Sequence, residues 1–212
     1  MKSSKFPTDA EVVIVGVGGI VGSMLAYWLT ELGQKNIVGL EKSTVIPSDI
    51  ASTAHASDFV YNTTHDKLSN WTTAFSRNFY EENGFFLKKG GLEICRKEDD
   101  ERWEEIKRKV ASGKAFGTNV SLISASEAKE KFPLLEEESI RGAMWDPDAG
   151  LVVPRSQDVV SFAVESAKEK GALTTYADTP AEGSEIENGR VTGVKTDKGT
   201  IKTNKVVIAS GT

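Results

Sequence analysis

Two clusters of residues in this sequence have types and spacing that could do chemistry. The first is "GVGGIVG", residues 16–22, with an acid further on at Glu41. Gly16, Gly18, Gly19 and Gly22 let a backbone approach a pyrophosphate closely, and the amides of a helix starting at Ile20 and Val21 would point at it. Glu41 follows Gly22 at about the twenty-residue interval that brings a carboxylate to the ribose hydroxyls of an adenine dinucleotide. The second cluster is "STAHA", Ser52 to Ala56, which contains His55, one of two histidines in the chain. A histidine among small residues is poor core material. It reads either as an ordinary loop residue or as a group placed against a flat ligand. His65, in "NTTHDK", has no such setting and reads as a solvated loop residue.

These residues need elements to position them. "EVVIV" at residues 11–15 is a β-branched run of the kind found in a strand buried on both faces. After the glycines, Ile20, Val21, Met24, Leu25, Trp28, Leu29 and Leu32 recur at helical intervals, which predicts a helix burying that stripe. Gly33 closes the helix, and "NIVGLE" is a second strand that ends in the acid. The unit is strand, glycine turn, helix, strand. It departs from the usual G-x-G-x-x-G in one respect. If Gly19 and Gly22 take the second and third positions, Val17 occupies the first, so the turn carries an extra residue. Either the loop bulges to absorb it or phosphate is held less well.

Composition narrows the classes. The chain has 212 residues, enough for one large domain or two small ones. Its net charge of −5 argues against nucleic acid or an anionic membrane as the main partner. No apolar run reaches bilayer-spanning length, and the N-terminus has no apolar signal core. A single cysteine, Cys95, reads as a buried strand residue and fits a reducing, cytoplasmic setting.

The chain order favours one dinucleotide over another. A nicotinamide domain would continue soon after Glu41 with another helix and parallel strand, whereas this chain enters a long Ser/Thr-rich segment. In the middle, "FFLKKGGLEICRK" reads as two strands about a glycine turn. "DDERWEEIKRKV" reads as a helix with Trp103, Ile106 and Val110 inward, and "SASEAKEKF" opens with a Ser124/Glu127 capping box. Asp146 and Asp148 read as turn-formers, and Trp145 more as core than as substrate wall. A helix capped near Ser156 follows, then a meander through "GRVTGVKTDKGTIKT" and a buried strand "KVVIASG". This order suits flavin adenine dinucleotide, and the expected organisation is α/β: a discontinuous Rossmann-like FAD-binding domain (1–61 and 153–212) around an incomplete α+β substrate domain (62–152).

The segments "VVIVGVGGIVGSMLAYWL", "GLEKS", "STAHA", "KKGGLEI", "GAMWDPDAGLVVP" and "KVVIASG" fall in order over nearly the whole chain. In them the sequence resembles the N-terminal part of the D-amino-acid-oxidase superfamily of flavoproteins, within it the dimethylglycine and sarcosine dehydrogenase branch. The resemblance implies an FAD-dependent oxidoreductase acting on the C–N bond of an N-methylated amino acid. It implies a covalent flavin link at His55, with FAD contacts from the glycine turn, Glu41, Lys42, Ser52, Thr53, Ala56, Ala181, Ser210 and Gly211. Two branch glycines are replaced here, by Ala51 and Asp58. The resemblance assigns no catalytic acid or base and implies a small amine substrate, with a C-terminal region or partner chain completing the site. Two alternatives stay open: a flavoenzyme for another donor such as a 2-hydroxy acid, and a flavin-binding fragment with no activity alone.

Overall fold

The computed structural model describes residues 6–211, which form two compact units. One comprises the chain up to Ser57 and from Arg155 onward; the other is Asp58–Pro154. In chain order the elements begin with β1 (Val12–Val15), α1 (Ile20–Glu31), β2 (Ile37–Leu40) and a 3₁₀ turn at Ser52–His55. The inner unit holds β3 (Phe59–Val60), α2 (Lys67–Glu82), β4 (Phe86–Lys88), β5 (Gly91–Arg96), α3 (Asp100–Ala115) and β6 (Ser121–Ser124). It continues through α4 (Ala125–Lys131), β7 (Ile140–Asp146) and β8 (Gly150–Val152). The chain then adds α5 (Ser156–Glu169), β9 (Leu173–Tyr176), β10 (Ala181–Glu187), β11 (Arg190–Thr196), β12 (Gly199–Lys202) and β13 (Val206–Ile208). Among the described residues no helix is long and apolar enough to cross a membrane.

The outer unit is built on a parallel sheet in the order β13-β1-β2-β9. Its two inner strands, β1 and β2, carry no polar side chain because both faces are covered. Val12, Ile14 and Ile37 pack with Ala26 of α1 and with Val160, Val164 and Ala167 of α5. Val13, Val38 and Leu40 point the other way, onto Val194 and Ile201 of the antiparallel β10-β11-β12 meander. The unit is thus a three-layer α/β sandwich of Rossmann type.

Helix α1 buries the expected apolar stripe only in part. Ile20, Leu25 and Leu29 pack, half-buried, against the core, but Val21 and Leu32 are largely exposed and Trp28 partly so, whereas Gly22, Ser23, Ala26 and Thr30 are buried. The reason is close approach: a Cβ built on Gly22 would lie 2.2 Å from the Gly16 carbonyl oxygen. Small residues at helical spacing let the helix sit against the strand–turn junction. Their hydroxyls are satisfied within the helix, Ser23 Oγ donating to the Ile20 carbonyl and Thr30 Oγ1 to that of Ala26. Gly33 ends α1 with φ +89°. Helix α5 begins with Arg155 as N-cap and has no side-chain cap, so the expected Ser156 cap does not form.

The inner unit has two antiparallel sheets, β3-β8-β4 and β5-β7-β6. Strands β4 and β5 form on either side of Gly90 as expected, but they do not pair with each other; β4 pairs with β8 and β5 with β7. Helix α3 buries Ile106 and Val110 against Cys95, Val120 and Met144, with Trp103 partly covered. The Ser124/Glu127 capping box opens α4. Asp146 does more than form a turn. It is buried, and its carboxylate accepts from Asn62 N (3.0 Å), Thr63 Oγ1 (2.9 Å) and Asp148 N (3.1 Å). Trp145 is half-buried, with the Lys131 ammonium 4.5 Å from its ring centre.

Candidate cofactor site

The extra residue of the glycine turn is absorbed at the end of β1. The amides of Gly16 and Val17 both donate to the Leu40 carbonyl, at 2.8 and 3.1 Å, so two residues of one strand oppose one of the next. Gly16 adopts φ +93° and lies so close to β13 that a Cβ would come within 2.5 Å of the Ala209 carbonyl oxygen. The Val17 side chain turns into the core, fully buried, beside Gly39, where a Cβ would stand 2.8 Å from Val17 Cγ2. The loop bulges inward at Val17.

Around this turn the polar groups are tied to one another. Glu41, buried just past β2, accepts from Gly18 N through Oε2 and from Ser43 N through Oε1, each at 3.0 Å. Ser48 N returns a bond to the Gly18 carbonyl at 2.9 Å. Ser43 Oγ donates to Asp49 Oδ1 at 2.6 Å, which holds that carboxyl below the usual range. Thr53, in the 3₁₀ turn, accepts from Ile20 N at 3.0 Å and so caps the first turn of α1 from a distance in sequence. That turn carries no acidic side chain of its own. Glu41 N donates to the Tyr176 carbonyl and Thr179 N to that of Glu41, joining the β9–β10 turn to the same point. Lys198 donates to the Asp178 carbonyl and, at 2.7 Å, to Thr179 Oγ1, bracing this turn.

These elements enclose a cavity of about 730 Å³ within the outer unit. Gly16, Gly19, Ile20 and Val21 line it at the helix start, Glu41 and Lys42 beyond β2, and Ser52 and Thr53 on the 3₁₀ turn. Ala181 lines it from β10, and Ser210 and Gly211 from beyond β13. Gly18 and Gly22 support the wall without lining it: Gly18 bonds Glu41, and Gly22 sets the approach of α1. His55 and Ala56 close the same 3₁₀ turn but are not in the lining, and His55 is exposed. Among the lining residues that sequence reasoning did not assign to the site, Ser48 and Thr179 are the buried polar ones. Both sit in polar turn segments, and no periodic pattern betrays that they are buried.

The residues present fit an adenine dinucleotide. Helical geometry leaves the first amides of α1 without intrahelical acceptors, aimed where a pyrophosphate would lie. Gly19 has no neighbour closer than 3.7 Å to a built Cβ, so a side chain there would take up cavity space. The buried Ser48 hydroxyl has no hydrogen-bond partner among the described residues.

The comparisons agree with this geometry. Residues 11–212 match the family described as FAD dependent oxidoreductase. Over 99% of its length the chain is 31% identical to the mitochondrial pyruvate dehydrogenase phosphatase regulatory subunit of Mus musculus, covering 24% of that protein. It is 28% identical, again over 99% of its length, to the mitochondrial sarcosine dehydrogenase of Homo sapiens, covering 23% of it. The structure of L-proline dehydrogenase from P. horikoshii superposes with a TM-score of 0.86 at 31% identity, covering 97% of this chain and 54% of that one. The chain therefore spans about a quarter of the length of these curated relatives.

Proposed function

Since the chain belongs to the FAD dependent oxidoreductase family, we propose that it is the FAD-holding part of an enzyme oxidising the C–N bond of an N-methylated amino acid. The observation that carries this is the similarity to a sarcosine dehydrogenase over 99% of the chain. When bound, FAD would supply a two-electron acceptor for the hydride of an N-methyl carbon. The residues of this chain hold and orient. The helix start and glycine turn would take the pyrophosphate, Glu41 the ribose, and the Thr179–Ala181 turn the adenine edge. Ser52 and Thr53 bring the small-residue turn alongside the cofactor, and His55, exposed at its end, is the residue we propose to be joined to a ring methyl carbon.

A second reading rests on a different relative, the one named a regulatory subunit. On that reading the fold serves as a non-catalytic module, and any flavin is dissociable or absent. Acid denaturation of protein made in flavin-replete cells separates the two. Flavin absorbance in the pellet, with one added flavin mass lost in His55→Ala, is expected. Flavin released wholly into the supernatant would remove the covalent link, and protein that binds no added FAD would favour the second reading.

A further inference from the structure

We propose that Ser48 is a cofactor-binding residue, its hydroxyl recognising the adenosine ribose together with Glu41; this rests on the dinucleotide reading of the cavity. Ser48 is 1% exposed, lines the cavity, and its Oγ has no hydrogen-bond partner among the described residues. Three other buried side-chain atoms share that condition, Asn62 Oδ1, Arg77 Nε and Thr192 Oγ1, and none of those residues lines this cavity. An unpaired buried hydroxyl costs about 1–3 kcal/mol, a cost that a ligand in the cavity Ser48 lines would recover.

The position of Ser48 says what completes it. Its amide is fixed on the Gly18 carbonyl, and a Cβ built on Gly18 would meet Ser48 Cβ at 2.8 Å and Glu41 Oε2 at 2.6 Å. The hydroxyl-bearing carbon and the carboxylate therefore share the space over one glycine. The other buried hydroxyl of this loop, Ser43 Oγ, is already engaged with Asp49, which leaves Ser48 as the group on offer. The chemistry is complementary. An ionised carboxylate can only accept, while each hydroxyl of a ribose diol both donates and accepts. Glu41 takes the ribose protons, and Ser48 supplies the donor that a ribose oxygen needs and that a carboxylate cannot give.

The test uses the 212-residue chain and its Ser48→Ala variant, both made in flavin-depleted cells and shown by absorbance and intact mass to carry no flavin, with calorimetric titration of FAD, ADP, 2′-deoxy-ADP and 3′-deoxy-ADP and a thermal melt of each protein without ligand. The variant is expected to melt no lower than the parent, because it loses an unpaired polar group. It should bind ADP about five- to tenfold more weakly. For the deoxy ligand that lacks the hydroxyl facing Ser48, parent and variant should bind alike. Equal ADP affinity for parent and variant would overturn the proposal. So would an equal loss for ADP and both deoxy ligands, which would place the hydroxyl against the pyrophosphate instead. If the parent itself bound neither ADP nor FAD, the dinucleotide reading would fall, and this inference with it.

Discussion

Among the described residues two charged side chains are buried, one in each unit, and both are carboxylates. Asp146, in the inner unit, is tied down by three donors: Oδ2 accepts from Asn62 N and Thr63 Oγ1, and Oδ1 from Asp148 N. Glu41, in the outer unit, accepts one backbone amide on each oxygen and lines the cavity. A carboxylate offers about four acceptor positions. Three are filled at Asp146 and two at Glu41, where the remainder borders open space. The same chemical group is a structural tie in one place and an unfinished binding element in the other. Burial alone does not separate the roles; unused hydrogen-bonding capacity facing a cavity does.

Exchanging each acid for its amide is the sharpest way to break that comparison. Asp146→Asn turns an N–H₂ toward a ring of donors and should destabilise the protein by about 2 kcal/mol in urea unfolding, with ADP affinity changed less than about twofold. Glu41→Gln should lower ADP affinity about thirtyfold, about 2 kcal/mol in calorimetry, with a smaller loss of stability. Similar losses of affinity in both variants would erase the distinction.

A smaller effect tests whether inner-unit electrostatics are local. Ser124→Ala removes the N-cap of α4 and should cost about 1 kcal/mol. The Ser124 amide and hydroxyl hold the Glu127 carboxyl below its ordinary value. The folded value lies below the unfolded one, so this contribution is fully present above the ordinary glutamate range and fades as pH falls through the folded value. In the variant, an NMR titration should show Glu127 moving back up, with no change in ADP binding.

The smallest effect belongs to Asp58, the first residue of the inner unit, whose φ is +60°. This left-handed conformation is tolerated by aspartate and preferred by glycine. Asp58→Gly should therefore raise stability by about 0.5 kcal/mol, seen as a small rise in Tm, and should leave Asp146 and Glu41 in their separate roles.

What the sequence made legible was local and periodic. The β-branched runs at Val12–Val15 and Ile37–Leu40, the Ser124/Glu127 box, the inward face of α3 and the meander all follow from patterns within one element. The glycine turn and Glu41 were legible because close backbone approach leaves few residue choices. Where distance in the chain decided the outcome, the pattern misled or was silent. Hydropathy points to Val21, Trp28 and Leu32 on α1, but tight packing on Gly16 selects Gly22, Ser23 and Ala26 for the buried face. Nothing near Asp146 announces Asn62 and Thr63 as its partners, and nothing near Thr53 announces the Ile20 amide. Ser48 looks like any loop serine until its burial is known.

The pair of hydrogen bonds that the Leu40 carbonyl accepts from Gly16 N and Val17 N bears on how such turns drift over time. An insertion in a phosphate-binding loop would ordinarily be lethal to it, yet here the surplus residue is stored in the interior, in the room that Gly39 leaves for Val17. Positions 17 and 39 therefore behave as one locus: a larger residue at 39 becomes admissible only alongside a smaller one at 17. A search that counts the spaces between glycines would pass over this turn, because its signature is written in shared volume rather than in the number of residues along the chain.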